Sequence, residues 1–204
     1  MQGLLPVHGF VLAGGKSLRM GEDKALKNFL RMPMIGLAVE KLRGFCTEVG
    51  IAGNRDDLGS YAEVVHETRL DIGPAAGIEA GLMAATQPWV LFVPVDVPLV
   101  PMQLLREWVE RVVGGGVASY LRVGEEAQPA FCCLRKESLG EWSSGLDGGE
   151  RRLMKLLAGV GAIGVGAEVF AANAERVGVW FWNVNRPEDL AAAEAFAVDL
   201  ADEK

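Results

Sequence analysis

With 204 residues, half of them hydrophobic and only 23% charged, the chain carries enough apolar side chain for a sizeable core, which excludes disorder and suits one domain over residues 1–204. Its formal net charge of −7 excludes a general nucleic-acid binder, because such proteins draw their affinity from basic surface. An anionic substrate must then be met by a local cluster of cations, helped by a metal ion.

The first element is the apolar run Phe10-Val11-Leu12, a buried strand that stops at Ala13-Gly14-Gly15. Without a Cβ at Gly14 and Gly15, successive N–H groups can face one anion, and Lys16, Arg19 and Lys24 stand near to neutralise it. A Walker A loop would need glycine at position 10, where the chain has Phe10. A dinucleotide-binding fingerprint fails as well, since Gly14 and Gly15 are followed next by Gly21.

The loop Leu12-Ala-Gly-Gly-Lys-Ser-Leu-Arg-Met-Gly-Glu-Asp-Lys24 resembles the signature of cofactor and sugar nucleotidyltransferases, and in its Gly-Gly form that of the molybdenum cofactor guanylyltransferases. The resemblance runs from about Gly9 to about Leu190. It implies a three-layer Rossmann-like nucleotidyltransferase fold, α/β, with a mainly parallel central sheet and a small β insertion. It also implies that Leu12, Ala13, Gly14 and Gly15 bind nucleotide, and that Arg19 and Lys24 hold the triphosphate and serve catalysis.

Further along, Met34, Leu37, Ala38, Lys41 and Leu42 keep helical spacing behind Pro33, which suits the first helical position. Glu48 to Ala52 reads as a second strand, closed by Gly53-Asn54-Arg55, and Glu63 to His66 as a third. A loop over 67–72 leads to Gly73-Pro74-Ala75-Ala76-Gly77-Ile78 and a helix with Ile78, Leu82, Met83 and Ala85 on its apolar face. In the family, Asn54 and Arg55 would lie close to the base, and the segment around Gly77 shapes the guanine pocket. The family's usual aspartate upstream is Glu67 by strand alignment or Asp71 by a shorter gap, so both are candidates for the base.

Trp89 to Val95 is apolar but for Pro94, the pattern of a central parallel strand covered on both faces, and it ends in Asp96-Val97-Pro98. An aspartate just beyond such a strand suits Mg²⁺, which takes one or two carboxylates plus substrate phosphates. By resemblance Asp96 is the metal ligand and a catalytic residue. The residue type alone also fits a cap for the helix marked by Met102, Leu105, Trp108 and Val109.

After Gly114-Gly115-Gly116 two strands follow in succession, over 117–121 and 127–134, with Gly124-Glu125-Glu126 as a hairpin turn. Gln128-Pro129 resembles a family segment that precedes a strand near the second substrate. Residues 145–149 read as a loop, and Arg151 and Arg152 stand at the start of a helix bearing Leu153, Leu156 and Leu157. Trp180-Phe181-Trp182 reads as a last strand, and Pro187 with Glu188 and Asp189 opens a closing helix to Leu200. The resemblance gives Arg151, Arg152, Asn183 and Asn185 to molybdopterin. Asn183 is the stronger candidate, because Asn185 can serve as a cap.

Cys46 and the adjacent Cys132 and Cys133 have no Cys-x-x-Cys spacing, and His8 and His66 are too few for a zinc set, so free buried thiols in a reducing cytoplasm are expected. No signal-type segment or membrane-length apolar run is seen, hence a soluble protein with no membrane partner. The resemblance implies transfer of GMP from GTP to molybdopterin or Mo-molybdopterin with Mg²⁺, and contacts with proteins that hand on the cofactor or chaperone molybdoenzymes. A cytidylyltransferase of the same cofactor, a sugar-phosphate nucleotidyltransferase and a non-catalytic nucleotide-binding module are the competing readings. The related cytidylyltransferases usually carry Leu-Ala-Ala-Gly, against Leu-Ala-Gly-Gly at Leu12 to Gly15 here.

Overall fold

A computed structural model describes residues 3–14, 23–171 and 176–202, the side chains of 199–202 excepted. The elements are β1 (Leu5–Leu12), a tight 3-10 turn (Lys24–Leu26), the two-residue strands β2 (Asn28–Phe29) and β3 (Met32–Pro33), α1 (Met34–Arg43), β4 (Cys46–Ala52), β5 (Glu63–Val65), α2 (Pro74–Ala84), β6 (Trp89–Pro94) and α3 (Met102–Gly115). They continue with β7 (Ser119–Val123), β8 (Glu126–Arg135), α4 (Leu139–Asp147), α5 (Leu153–Gly159), β9 (Ile163–Gly166), α6 (Val177–Trp180) and α7 (Pro187–Asp202).

Among the described residues a seven-stranded sheet runs in the order β5-β4-β1-β6-β8-β7-β9, and β8 alone is antiparallel to its neighbours. The expected α/β fold with a mainly parallel sheet is therefore present. One refinement concerns β6, which is parallel to β1 but antiparallel to β8. The two strands expected as an insertion, β7 and β8, continue the main sheet, turning at Gly124-Glu125.

Alternation along β1 explains the layers. Val7 and Val11 face one side, into a core shared with Ile35, Val39 and Leu42 of α1 and Trp108 of α3. Phe10 and Leu12 face the other, against Ile78 and Leu82 of α2 and Trp142 of α4. A strand covered on both faces carries apolar side chains on both, which is why the sequence pattern is continuous rather than alternating. A third cluster of Phe29, Met34, Leu99, Val184 and Ala193 ties α7 to the segment after β6.

Three expectations are corrected. Trp180-Phe181-Trp182 is not a strand: α6 covers Val177–Trp180, and the buried residues are Val177, Phe181 and Val184, a spacing of four and three that belongs to helical turns. Residues 145–147 are the end of α4, whose anchors Trp142 and Leu146 are buried four apart, so the loop begins later than expected. Met83 is 54% exposed and does not share the apolar face of α2. Gln128-Pro129 lies within β8, as the expected bounds 127–134 have it: Tyr120 pairs with Cys132 and Leu121 with Gln128, so Pro129, Ala130 and Phe131 leave the β7 ladder at a position that needs no proline N–H.

Candidate active site

The sheet register sets the site. Leu12 pairs with Ala52 and with Pro94, and Ala52 with Val65, so four strands end level with one another. Backbone bonds extend the match one residue further: Ala13 N–H to the Ala52 carbonyl at 3.0 Å, Gly53 N–H to that of Val65 at 3.0 Å, and Val95 N–H to that of Leu12 at 3.2 Å. The segments beginning at Ala13, Gly53, His66 and Val95 thus leave one edge of the sheet, the carboxyl edge at which ligands bind in open α/β sheets.

One cavity, of about 600 Å³, opens there between Leu12, Gly14, Ala52, Asn54, Glu67, Leu70, Asp71, Gly73 and Pro74. Both candidate base-side acids line it. Glu67 is half-buried, and burial pushes its carboxyl above the ordinary glutamate value, whereas Asp71 is exposed with a left-handed backbone (φ 59°). A Cβ on Gly14 would come within 3.0 Å of Glu67 Oε1, and one on Gly77 within 3.4 Å of the same oxygen and 3.1 Å of Leu12 Cδ2. The glycines leave room for the carboxylate over the floor of the cavity. Asn54 braces it by accepting the Glu67 N–H at 3.0 Å.

Arg55, expected near the base beside Asn54, turns the other way. It is 2% exposed and bound to Asp23 and Asp57. Buried guanidinium needs paired carboxylates, and the acids that supply them lie beneath the site.

A second cavity, of about 910 Å³, is walled by Val123, Glu126, Gln128, Phe181, Trp182, Asn183, Asn185, Arg186 and Asp189. Its polar segment is fixed from two directions. Val184 is fully buried and donates its N–H to the Asp96 carbonyl at 2.8 Å. Asp189, in the first turn of α7, accepts the N–H groups of Asn185 at 2.9 Å and Arg186 at 2.8 Å, the returning half of a capping box. Asn185 is therefore not the cap, and its side chain is released for the site.

Lys24 reaches the wall of the second cavity through Asn185. It is 8% exposed, and its Nζ donates to Asp96 Oδ2 at 2.7 Å and to Asn185 Oδ1 at 2.6 Å. Three residues from distant parts of the chain thus converge on one ammonium. Asp96 does not cap α3, which starts six residues later at Met102. Among the described residues, two of the three ammonium donors have partners.

Among the described residues no group of three His, Cys, Asp or Glu gathers as a metal cage. One carboxylate, Asp96, with the amide oxygen of Asn185 2.6 Å from the same cation, is nevertheless the donor set that suits Mg²⁺, which takes its other ligands from phosphates and water. Gly15 and Arg19 lie outside the described residues. Arg151 and Arg152 line neither cavity: Arg151 donates to the Leu146 carbonyl at 2.8 Å, and Arg152 pairs with Glu150 at 2.7 Å, which pulls the Glu150 carboxyl down to about 2. Sequence reasoning did not single out Asp23, Lys41, Glu126 or Trp182; an aspartate immediately before Lys24 was the available signal for the first of these.

Comparison with known proteins agrees with this geometry. Residues 9–162 match the family described as the MobA-like NTP transferase domain. A molybdenum cofactor guanylyltransferase of Serratia proteamaculans is 36% identical over 163 residues, covering 76% of this chain and 81% of its own. One from Yersinia pestis is 32% identical over 90% of this chain and 92% of its own. The crystal structure of molybdopterin-guanine dinucleotide biosynthesis protein A from Archaeoglobus fulgidus superposes with a TM-score of 0.79 over 94% of this chain and 99% of that one, at 21% identity, and so shares the fold. On this sequence match, and with the loop edge and cavities in place, the chain belongs to the MobA-like NTP transferase family.

Proposed function

We propose that this protein transfers GMP from GTP to the terminal phosphate of molybdopterin or its molybdenum-loaded form, releasing pyrophosphate and giving molybdopterin guanine dinucleotide. The observation that carries the reading is the convergence of Lys24, Asp96 and Asn185 beside the larger cavity, at the sheet edge that also carries a nucleotide-sized one. The relatives from Serratia proteamaculans, Pseudomonas entomophila and Yersinia pestis carry the name molybdenum cofactor guanylyltransferase, which supports the choice of substrates.

In this reading the guanine enters the cavity floored by Gly14 and Gly77, with the Glu67 carboxylate, or Asp71 at the rim, accepting from its N–H groups. The triphosphate runs along the loop that follows Leu12, under Gly14, Gly15 and Arg19, to the Lys24 ammonium. Molybdopterin occupies the second cavity against Asn183 and Asn185, while Arg151 and Arg152, held by the Leu146 carbonyl and Glu150, stand outside that cavity.

The chemistry is an in-line displacement at the α-phosphorus: an oxygen of the acceptor phosphate forms the new P–O bond while the bond to pyrophosphate breaks. Such a step needs alignment and charge neutralisation more than covalent help. No general base is required, since the attacking phosphate is already ionised near neutral pH. Lys24 offers its ammonium to an oxygen that gains charge, in a setting mostly shielded from water. Mg²⁺ held by Asp96 would screen the repulsion between the two phosphates.

We place the reaction in the cytoplasm, in one domain of residues 1–204, with cofactor-handing or molybdoenzyme-chaperone proteins as partners that bring and collect the cofactor. Among the described residues no helix is long and apolar enough to cross a membrane. Pyrophosphate release with each nucleoside triphosphate, with and without molybdopterin, tests the assignment. Release only with GTP and molybdopterin together is expected; release with CTP alone among the nucleotides would move the reading to the cytidylyltransferases.

A further inference from the structure

Arg55 is among the most deeply buried charges of the described chain, and its guanidinium is gripped from two sides. Nε and Nη2 donate to the two oxygens of Asp57 at 2.9 and 2.7 Å, and Nη1 and Nη2 reach the two oxygens of Asp23 at 3.2 and 2.5 Å. This fork-on-fork geometry is the most directional that an arginine can make, and it fixes Asp23 in both position and plane. Asp23 in turn caps the 3-10 turn Lys24–Leu26, its Oδ1 accepting the Ala25 N–H at 3.0 Å. The first residue of that turn is Lys24. A continuous set of bonds therefore runs from the end of β4 to the ammonium on Asp96 and Asn185.

We propose that Arg55 is a positioning residue, which sets the Lys24 ammonium through Asp23 and joins it mechanically to the base-side cavity. The link to that cavity is the preceding residue. Asn54 lines the cavity and holds the Glu67 backbone, while Arg55 is outside its lining and bonded to Asp23. Two adjacent side chains at one strand end thus serve the two ends of the nucleotide. The catalytic meaning rests on the proposed function, but the placement of Lys24 does not, and the two can be tested separately.

The direct test is the reactivity of Lys24 in the intact, ligand-free protein, read as the acetylation rate of that residue by acetic anhydride and mass spectrometry, with exposed Lys136 as the internal standard. Arg55→Met should raise the Lys24 rate about tenfold relative to Lys136, because a misplaced ammonium loses its buried partners. Asp23→Ala should give the same increase, and the double variant no more than either, since both act through one contact. Arg55→Lys, which keeps the charge and loses the fork, should fall between. Lys24 as protected in Arg55→Met and Asp23→Ala as in the parent protein would overturn the proposal. Should Arg55→Met fail to fold, the Lys24 rate in Asp23→Ala decides in its place, because Asp23 is less buried and its loss leaves the Asp57 pairing of Arg55 intact.

A kinetic arm separates positioning from mere stability. In the parent background Arg55→Met should lower kcat for pyrophosphate release by about 10²-fold, as expected for a displaced catalytic group, whereas in a Lys24→Ala background it should lower kcat no further. An equal loss in both backgrounds would show that Arg55 acts elsewhere and would also overturn the proposal. Absence of GTP-dependent release by the parent protein would refute the proposed function and leave the acetylation result to decide the role of Arg55.

Discussion

Asn185 Oδ1 accepts a hydrogen bond from Lys24 Nζ at 2.6 Å, across 161 positions of sequence, and the same asparagine walls the larger cavity. The wall of the larger cavity and the Lys24 ammonium are thereby one piece of structure. Asn185→Ala is expected to lower kcat by about tenfold, while costing only about 1 kcal/mol of stability for the lost hydrogen bond. Steady-state pyrophosphate release beside thermal unfolding checks both halves.

Gly77 lies inside α2, where alanine is intrinsically favoured by about 1 kcal/mol. Its added Cβ would nevertheless press on Glu67 Oε1 and Leu12 Cδ2 at 3.4 and 3.1 Å. Gly77→Ala should therefore fold well and bind poorly, with a KM for GTP raised about tenfold, equivalent to about 1.4 kcal/mol of binding. An unchanged KM would mean that the base does not rest on this floor.

Burial raises the Glu67 carboxyl above its ordinary value, so on acidification it takes up a proton earlier than an exposed glutamate does. If its ionised form accepts from guanine, the Kd for GTP should rise as the pH is lowered from about 7 to about 5, by about tenfold. Glu67→Gln should bind GTP more weakly at pH 7 and lose that pH dependence. Equilibrium titration of GTP against both proteins across this range is the measurement.

Lys41 is half-buried against the segment that follows Asp96 and donates to the carbonyls of Pro98 at 2.5 Å and Val100 at 2.8 Å. Desolvation pulls its pKa down to about 8. The folded protein thus binds fewer protons than the unfolded chain between that value and the ordinary lysine range, so this group's contribution to stability increases as the pH rises through that window. Measured against Lys41→Met, the parent protein should gain about 2 kcal/mol of relative stability between pH 7 and 9.5. A difference independent of pH would contradict the burial of a charged amine there.

The strands and helices that carry the site were legible because each is short, apolar and punctuated by glycine or proline. β4, β5, β6 and α2 lie within about two residues of their expected bounds, and β1 ends at Leu12 as expected but begins earlier, at Leu5. The gathering of Leu12, Gly14, Asn54, Glu67 and Asp71 around one cavity follows from parallel strands ending level, which the order of elements already implies. What local pattern could not give was partnership. Arg55 follows Asn54 in sequence, yet one side chain goes to the cavity and the other beneath it, because two carboxylates from separate segments were there to receive a buried guanidinium. Asn185 suits a cap by residue type, but Asp189 fills that role from within the helix and leaves the asparagine to Lys24. The aromatic run 180–182 misled for a related reason: residue type suggested a strand, whereas burial follows helical spacing through Val177, Phe181 and Val184.

The most direct measurement of the central claim is transfer of label from GTP, marked at its α-phosphate, into molybdopterin guanine dinucleotide by the parent protein and by Asp96→Ala. The parent should form labelled product only when GTP and molybdopterin are both present, and Asp96→Ala should form it at least about 10²-fold more slowly while unfolding at a similar temperature. Equal rates for the two proteins, or no labelled product from the parent, would contradict the reading of Lys24, Asp96 and Asn185 as the reacting centre.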